Sequence, residues 1–541
     1  MSSIDGASLK TLDVFVAHGC DNSECSWTPK KNVRGIDVEF NGGAFMFRRG
    51  DKVAGPYHDI YQLTPEELSE KLGVDLEAAL AARLTALQIY EDRELEIEDL
   101  VEALGVTVKR DDANKVITFL VMLSAFTEDD QINLSFRAES STGKSYIPLE
   151  VASLFPEDRV VKLAYSSPTS FFHDRGSWDE ESEMIIINLE KKILIFLDQP
   201  HNALLERLRP LLSHDQKELI YKITDKREKL GLRTKNVKII GYPAVIFCTG
   251  RLALDEQEAT RMILLSPEVS QEKLREAVYL KILKEANEKA FKQYVESDPR
   301  RKALRERVKR IAELKVAEII VPEPEKIFKR FIESRRILKP RHSRDAGRLM
   351  ALIKILALLN YMHRKVERNG DRLTVYASEK DVDAAFELWD QIAEPQEYNL
   401  SPFVLEVFKQ VIEPLAREKS ITDVAQGPTS VEIMRRFLEV FGRPLSRTIW
   451  EKEIVPSLEA AGLLERETHP QDRRKVIYIP TTIKRLEDEE VTPQCRDTFL
   501  PEDISVSEEA SLRKYVSQQC GVNDSSYINV SKATSRKREG V

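Results

Sequence analysis

The stretch AESSTGKS, residues 138–145, decides how the fold of this chain is interpreted. It lies between the strand-like INLSF, residues 132–136, and the helix-like YIPLEVASLF, residues 146–155. A phosphate-binding loop needs a strand that delivers the chain, a turn whose backbone N–H groups converge on anionic oxygens, and a helix whose positive end faces them. The strand, the turn and the helix are all predicted at residues 132–155. The sequence therefore predicts a phosphate-binding loop, and a polar turn without a ligand is the alternative.

The residue types within the loop suit a nucleotide triphosphate and Mg²⁺. Gly143 allows close backbone approach, Lys144 supplies charge for the β- and γ-phosphates, and Ser145 supplies a hydroxyl for Mg²⁺. Ala138 replaces the usual first glycine, and a turn position with a positive φ would penalise alanine. Pro148 stands near the helix start, where its missing N–H matters little. We therefore predict ATP and Mg²⁺ as cofactors, bound by Ala138, Glu139, Ser140, Ser141, Thr142, Gly143, Lys144 and Ser145.

A second strand candidate, KILIFLDQPH at residues 192–201, ends in an acid. Asp198 follows five apolar residues, and a carboxylate there would complete the Mg²⁺ shell with Ser145. Gln199 follows it, where many ATPases of this type have a glutamate. A glutamine orients water but does not take its proton, so hydrolysis is slow or uses another acid, for which Glu190 is a candidate. The alternative is an ordinary buried strand with a terminal Asp.

Two further strand candidates supply polar residues to the same chemistry. YPAVIFCTG, residues 242–250, carries Thr249 at its end, which suits a sensor near the γ-phosphate. Arg261 stands just before the apolar run of RMILLSP and suits an arginine finger that reaches a neighbouring subunit's nucleotide. A finger acting between subunits implies a ring, whereas a surface arginine is the alternative. The predicted catalytic residues are Lys144, Asp198, Gln199, Thr249 and Arg261.

These motifs resemble those of the AAA+ ATPases, and more narrowly the MCM-like and primase-associated helicase domains of mobile elements and replicons. Two further segments contribute, SRDAGRLMALIKILALLNYMHR and ASEKDVDAAFELW, and the resemblance covers about residues 128–395. It implies an α/β P-loop core with a helical lid, in which Arg348 would be the sensor-2 arginine that binds the nucleotide, with Arg344 as its rival. It also implies an ATPase that forms a homo-hexamer or another ring around DNA.

A basic hairpin candidate precedes the Thr249 strand, at ELIYKITDKREKLGLRTKNVKIIGYP, residues 218–243. In the ring helicases a hairpin here grips the phosphate backbone of one DNA strand in the central channel. Point charges provide such a grip without sequence preference. They would come from Lys226, Arg227, Lys229, Arg233 and Lys235. A solvated hairpin without a ligand is the alternative. Residues 271–344, with 22 Lys and Arg against 12 Asp and Glu, could also line DNA.

Residues 429–480 have the pattern of a winged helix. One helix ends at Gly442, a second stops at Gly462, and two strands with a charged tip follow. Such a module binds duplex DNA or another protein. The DNA-binding candidates are Arg447 and Lys452 on the second helix and Arg473, Arg474 and Lys475 in the wing.

The length and composition of the chain indicate a protein of several structural units. The 541 residues carry 82 Lys and Arg against 90 Asp and Glu, and they are too many for one ordinary core. No apolar run reaches membrane-spanning length, so we expect a cytoplasmic protein without membrane contact. Five cysteines form no disulfide framework. The predicted units are a β-rich module 1–60, a helical region 61–127, the ATPase core 128–268, a lid and basic helical region 269–420, the winged helix 429–482 and a mostly disordered tail 488–541.

Two functional hypotheses follow. The first is an ATP-driven, ring-forming DNA translocase or helicase in the replication of a mobile element or replicon. The second is an ATP-switched DNA-binding initiator, loader or regulator in which Gln199 favours holding ATP over hydrolysing it. A primase-helicase is disfavoured because residues 13–56 show no primase-like carboxylate pair.

Overall fold

The described chain begins with a small antiparallel sheet and two helices. The computed structural model describes residues 30–41, 43–139, 142–164, 176–180, 183–198, 202–225, 233–252, 260–333, 335, 338–419, 427–469 and 472–482, without the side chains of residues 202, 223–225 and 233–235. The first elements are β1 (Lys30–Val33), β2 (Ile36–Asn41), β3 (Ala44–Arg49), β4 (Lys52–Tyr57), α1 (Pro65–Leu72) and α2 (Leu76–Asp92). The four strands pair in sequence order. Phe45 and Phe47 share a core with Leu68 and Ala82 of the two helices, so the β-rich module continues into the predicted helical region.

The four apolar runs predicted as strands form one parallel sheet together with VVKL, residues 160–163. They are β5 (Asn133–Arg137), β6 (Val160–Leu163), β9 (Ile193–Phe196), β12 (Ala244–Thr249) and β13 (Ile263–Leu265). Their order is β13-β5-β12-β9-β6. Strand β5, which leads into residues 138–145, therefore lies next to β12, and β12 separates it from β9. The predicted α/β class is confirmed at this level.

Both faces of the parallel sheet are covered, because successive strand residues point to opposite sides. Ile193 and Ile195 of β9 face a core formed with helices before and after the sheet. Leu194 and Phe196 of the same strand face a second core. The helices of the first core include α3 (Ile97–Gly105), α4 (Asp112–Ser124), α5 (Tyr146–Ala152), α9 (Pro299–Glu313), α11 (His342–Leu359) and α12 (Glu379–Glu397). This core crosses the boundaries predicted at residues 127 and 268, and the chain to Thr481 forms one compact unit.

The second core includes a separate four-stranded sheet. Its strands are β7 (Ser177–Asp179), β8 (Met184–Asn188), β10 (Glu218–Asp225) and β11 (Arg233–Ile240), and α6 (Asn202–Leu212) packs beside them. Strands β10 and β11 form the antiparallel hairpin that the sequence predicts, with Glu218 opposite Ile240 and Asp225 opposite Arg233. Strand β8 pairs with β11 in parallel.

The region after residue 268 is not wholly helical as expected. Its further helices are α7 (Gln271–Ala286), α8 (Glu288–Ser297) and α10 (Pro324–Glu333), but β14 (Lys315–Ile320), β15 (Val366–Asn369) and β16 (Arg372–Tyr376) form a small sheet. Val316 and Ile319 of β14 are both buried in the main core although they are three residues apart, because the strand pairing shifts register between Val316 and Glu318. Short 3-10 helices occupy Glu157–Arg159 and Tyr361–His363.

The C-terminal part of the described chain consists of helices and one hairpin. It comprises α13 (Pro402–Val407), a π-helix (Phe408–Ile412), α14 (Glu413–Glu418), α15 (Ser430–Phe441), α16 (Arg447–Ile449), a second π-helix (Trp450–Ile454), α17 (Val455–Ala460), β17 (Leu464–Thr468) and β18 (Val476–Pro480). Its core joins Phe403 of α13 with Phe437, Trp450 and Tyr478. We call these residues, from Pro402 to Pro480, the C-terminal module. It is longer than the predicted 429–482 because α13 and α14 complete its core.

Across the described residues, none of the helices has the length and apolar character needed to cross a membrane.

Candidate functional site

The predicted phosphate loop leaves the carboxyl end of β5 and turns into α5. Gly143 has a φ of +99°, which glycine adopts far more readily than other residues. The carbonyl oxygen of Glu139 accepts hydrogen bonds from Thr142 Oγ1 at 2.9 Å and from Lys144 Nζ at 3.3 Å. The backbone N–H of Ile147 donates to the Gly143 carbonyl at 3.1 Å, which begins α5. The described part of the loop is therefore folded on itself around the Glu139 carbonyl.

Alanine at the first loop position is compatible with this backbone. Ala138 is buried, and it is not among the described residues with a positive φ. Its N–H donates to the Thr249 carbonyl at 3.4 Å, which extends the pairing of β5 with β12. Pro148 is the third residue of α5, where a backbone N–H has no partner within the helix. Both departures from the usual loop pattern are accommodated without strain.

The end of the loop lies against β12. Burial raises the pKa of the Cys248 thiol to about 12, although the Ser145 hydroxyl, by a hydrogen bond, and the charge of Lys144 both act to lower that pKa. These interactions bring Lys144 and Ser145 beside the residue that precedes Thr249. The hydroxyl of Thr249 is itself buried and accepts a hydrogen bond from the Arg251 N–H at 3.1 Å.

We expect Cys248 to resist alkylation in the folded protein. The thiolate is the reactive form, and a raised pKa keeps the thiol protonated at pH 8. Peptide mapping by mass spectrometry after iodoacetamide treatment should find Cys248 unmodified in native protein and modified in guanidinium chloride. Equal modification under both conditions would show that the end of β12 is open to solvent.

Asp198 is at the same edge of the sheet as the loop. Phe196 of β9 pairs with Phe247 of β12, so Asp198 follows two residues beyond the carboxyl end of β9, and its side chain is exposed. Two strand spacings, about 10 Å, separate β5 from β9. Ligands of open α/β sheets bind outside the carboxyl ends of the strands. Lys144, Ser145, Thr249 and Asp198 therefore lie at the same edge of the sheet.

The oxygen donors of this edge fit Mg²⁺. This cation is usually held by one or two side-chain oxygens together with water and substrate phosphates, and Ser145 and Asp198 supply such oxygens. The described residues contain no cluster of three or more His, Cys, Asp or Glu side chains that could hold a metal by themselves. A nucleotide-borne Mg²⁺ is thus the metal that suits these donors.

Three of the residues predicted for the nucleotide site, Ser140, Ser141 and Gln199, lie outside the described residues. Glu190, the proposed substitute for a catalytic glutamate, is described and does not fit that role. It precedes β9, at the opposite edge of the sheet from Asp198. The strand between them, about 13 Å long, keeps its carboxylate away from the loop. The expectation for Glu190 was wrong because Glu190 precedes β9 whereas Asp198 follows it, so the extended strand holds the two carboxylates at opposite edges of the sheet.

Arg261 lies at the amino edge of the same sheet. Ile263 of β13 pairs with Leu134 of β5, which places Arg261 beside the start of β5. Its Nε donates to Ser213 Oγ at 2.6 Å. It borders a cavity of about 330 Å³ whose other charged and polar lining residues include Asp129, Asp130, His214, Asp215, Arg344 and Arg348.

The two sensor-2 candidates also lie at this cavity, on α11. Arg348 is buried, and it donates to Asp345 Oδ1 at 2.9 Å and to the Thr260 carbonyl at 2.5 Å. Burial lowers the pKa of its guanidinium. Arg344 is exposed and donates to Thr260 Oγ1. The exposed Arg344 is therefore better placed than Arg348 to reach a ligand.

The arginines and the phosphate loop occupy opposite edges of one sheet. They are separated by the length of β5, about 16 Å. The structure therefore does not bring Arg261, Arg344 or Arg348 together with Lys144 and Ser145 within one chain.

The basic residues predicted for DNA binding are described in part. Lys226, Arg227 and Lys229 lie outside the described residues, between β10 and β11. Arg233 and Lys235 lie within β11, opposite Asp225 and Ile223, although their side chains are not described. In the C-terminal module all five candidates, Arg447, Lys452, Arg473, Arg474 and Lys475, are exposed.

The charge excess of residues 271–344 is partly internal. Arg301 and Arg307 of α9 are buried. Arg301 donates to Ser153 Oγ at 2.9 Å, and Arg307 donates to the Glu91 carbonyl at 2.5 Å. Their charge therefore serves packing rather than a DNA surface.

Sequence reasoning missed a contact between the C-terminal module and the loop. Arg443, in the turn between α15 and α16, forms an ion pair with Glu139. Glu453 Oε2 accepts a hydrogen bond from the Leu252 N–H at 2.6 Å. Arg443 and Glu139 are 304 residues apart, and no local pattern signals such a pair.

Comparison with protein families finds no family that matches this sequence. Comparison with curated proteins likewise finds no match.

Proposed function

We propose that this protein is an ATP-driven, ring-forming DNA translocase or helicase that acts in the replication of a mobile element or replicon. The observation that carries the proposal is the strand order β13-β5-β12-β9-β6. It gathers Lys144, Ser145, Thr249 and Asp198 at one edge and leaves Arg261 at the other. This arrangement supports an AAA+ core with a nucleotide between adjacent copies.

Each residue of the edge has a distinct task in this proposal. ATP bound with Mg²⁺ supplies the free energy of phosphoryl transfer. Lys144 neutralises phosphate charge, Ser145 and Asp198 hold the cation shell, and Thr249 orients the terminal phosphate or the attacking water. Arg261 of one copy stabilises the charge that develops in the next copy's site. The loop and Arg261 lie at opposite edges of the sheet, which supports a head-to-tail contact between copies. Such contacts close into a ring when the rotation between neighbouring copies closes.

The hairpin of β10 and β11 is the proposed grip on DNA. It pairs over eight residues on each strand and carries a basic connection, KREKLGL, between its strands. Phosphate contacts of Lys and Arg provide affinity without sequence preference. Movement of this hairpin with the nucleotide state would drive DNA through the ring.

Replacing Lys226, Arg227 and Lys229 by alanine is expected to abolish stimulation of the ATPase by single-stranded DNA while basal hydrolysis persists. The removed charges bind phosphates and not the nucleotide. Each lost phosphate contact also lowers the salt dependence of DNA binding by about one unit of slope.

The matched control for the hairpin variant is Lys238→Ala. Lys238 lies on β11 of the same hairpin, and its Nζ pairs with Glu218 at 2.7 Å. This variant should retain DNA stimulation. Stimulation that survives in the triple variant would assign DNA binding elsewhere.

The second candidate function is an ATP-switched DNA-binding initiator, loader or regulator. The C-terminal module favours it, because two helical stretches followed by a two-stranded hairpin resemble a winged helix with an exposed basic wing. Gln199 favours it as well, since the amide does not take a proton from water. This candidate predicts tight ATP binding, slow turnover and preference for particular duplex sequences.

ATP hydrolysis by the full chain, with and without single-stranded DNA, distinguishes the two. DNA-stimulated turnover together with ATP-dependent ring assembly supports the translocase. Tight ATP binding with slow, DNA-independent turnover replaces it with the switch. Absence of ATP binding overturns both proposals.

A further inference from the structure

We call the edge of the parallel sheet that carries Lys144, Ser145, Thr249 and Asp198 the nucleotide edge. A charged residue from a distant part of the chain lies at this edge. Arg443 of the C-terminal module pairs with the carboxylate of Glu139, the second residue of the phosphate loop. The side chains are only 28% and 14% exposed. An ion pair with this little solvent contact is poorly screened, so removal of one partner strongly affects the other.

The surroundings of Arg443 hold its guanidinium in place. It lies over the rings of Phe403 and Phe437, at 5.5 Å and 5.6 Å from their centroids. Its Nε and Nη2 are buried and have no hydrogen-bond partner among the described residues. Arg443 is therefore packed by the C-terminal module and directed to Glu139.

Two neighbouring contacts tie the module to the same edge. Glu453 accepts the hydrogen bond from the Leu252 N–H, three residues after β12. Ser266, which follows β13, accepts from the Phe403 N–H at 3.2 Å and donates to the Arg137 carbonyl at 2.6 Å. The module thus contacts the segments that leave β5, β12 and β13, all at their carboxyl ends.

Glu139 stands close to the expected phosphate position. Its carbonyl accepts the hydrogen bond from Lys144 Nζ, so the carboxylate of Glu139 also lies in the loop. An unpaired carboxylate there would repel a triphosphate, because like charges in a partly buried site interact strongly. Arg443 cancels this charge.

We propose that Arg443 is a positioning residue of the nucleotide site, which neutralises Glu139 and thereby makes ATP affinity depend on the docking of the C-terminal module. The inference rests on the proposed binding of ATP by residues 138–145. Coupling between two sites is reciprocal. ATP therefore holds the module on the loop, and a DNA or protein ligand that draws the module away weakens ATP binding by the same factor.

A double-mutant cycle in the full chain tests this inference. ATP and ADP dissociation constants are measured by calorimetry for wild type, Arg443→Ala, Glu139→Gln and the double variant, with thermal melting as a check of folding. We expect Arg443→Ala to weaken ATP binding about tenfold, within the usual range of coupling, and ADP binding less because ADP carries less charge.

Glu139→Gln is the matched variant that removes the charge without Arg443 being changed. In that background the Arg443→Ala change should alter the ATP dissociation constant by less than about twofold, because there is no carboxylate left to neutralise. Arg443→Lys retains the charge and should stay near wild type. Should Arg443→Ala fail to fold, Arg443→Gln takes its place with the same expectation.

The outcomes separate the two proposals. Unchanged ATP affinity in Arg443→Ala overturns the positioning role, and so does an equal loss with Glu or Gln at residue 139. Wild-type protein that binds no ATP overturns the proposed function itself, which is recognised before any variant is compared.

Discussion

Lys144→Ala is expected to lower ATP hydrolysis at least about a hundredfold. Lys144 is the cation that the structure directs into the loop, and removal of one preorganised charge-stabilising group from a phosphoryl-transfer site has an effect of this order. The measurement is steady-state phosphate release by purified full-length protein at saturating Mg²⁺, with and without single-stranded DNA. ATP affinity should fall as well, since the lysine contacts phosphates in the ground state.

A matched lysine identifies the loop as the cause. Lys329 of α10 is 76% exposed and pairs with Glu333 on the same helix, so Lys329→Ala removes an equal charge outside the phosphate loop and is compared with Lys144→Ala without DNA. It should hydrolyse ATP at the wild-type rate. Wild-type turnover in Lys144→Ala would instead mean that AESSTGKS is only a polar turn.

Arg261→Ala is expected to reduce hydrolysis by about a thousandfold or more, the usual effect of losing an arginine finger. ATP binding should persist, because Arg261 and the loop lie at opposite edges of the sheet. Ser213→Ala is the structural control. Its hydroxyl accepts the hydrogen bond from Arg261 Nε, so its loss disturbs the local packing of Arg261 without removing the charge.

Mixing two inactive variants shows whether Arg261 acts between copies. Equal amounts of Lys144→Ala and Arg261→Ala protein would form rings in which about a quarter of the interfaces combine an intact loop with an intact arginine. Hydrolysis should therefore recover to about a quarter of the wild-type rate. A mass measurement shows whether mixed rings form. If they form but are as inactive as either parent protein, Arg261 is not an arginine finger.

Docking of the C-terminal module on the loop would regulate ATP binding in the proposed cycle of ATP hydrolysis. Its basic wing faces solvent, while Arg443 and Glu453 face the nucleotide edge. Under the proposed function, the same module would contact DNA and the loop together. This arrangement would link the two candidate functions, since a translocase can also be loaded or switched through the same module.

The sequence by itself determined the local elements. Apolar runs in the sequence specified β5, β9, β12 and β13 of the parallel sheet, because each of these strands buries both faces. Gly442 marked a helix end correctly, through a left-handed φ of +67°. The placement of Thr249 and Asp198 at strand ends also followed from the sequence, since each stands directly after its apolar run, and Lys144 was assigned to the loop between β5 and α5.

Only the tertiary structure decided which strand ends share an edge and what covers them. The order of the strands placed Arg261 beside the start of β5, at the opposite edge of the sheet from Lys144. It also placed Arg348 in a buried pair with Asp345 and left Arg344 exposed. The pair of Glu139 with Arg443 depends on how the C-terminal module docks. Such long-range contacts arise from burial of surfaces that are far apart in sequence, so local periodicity and motif spacing carry no information about them.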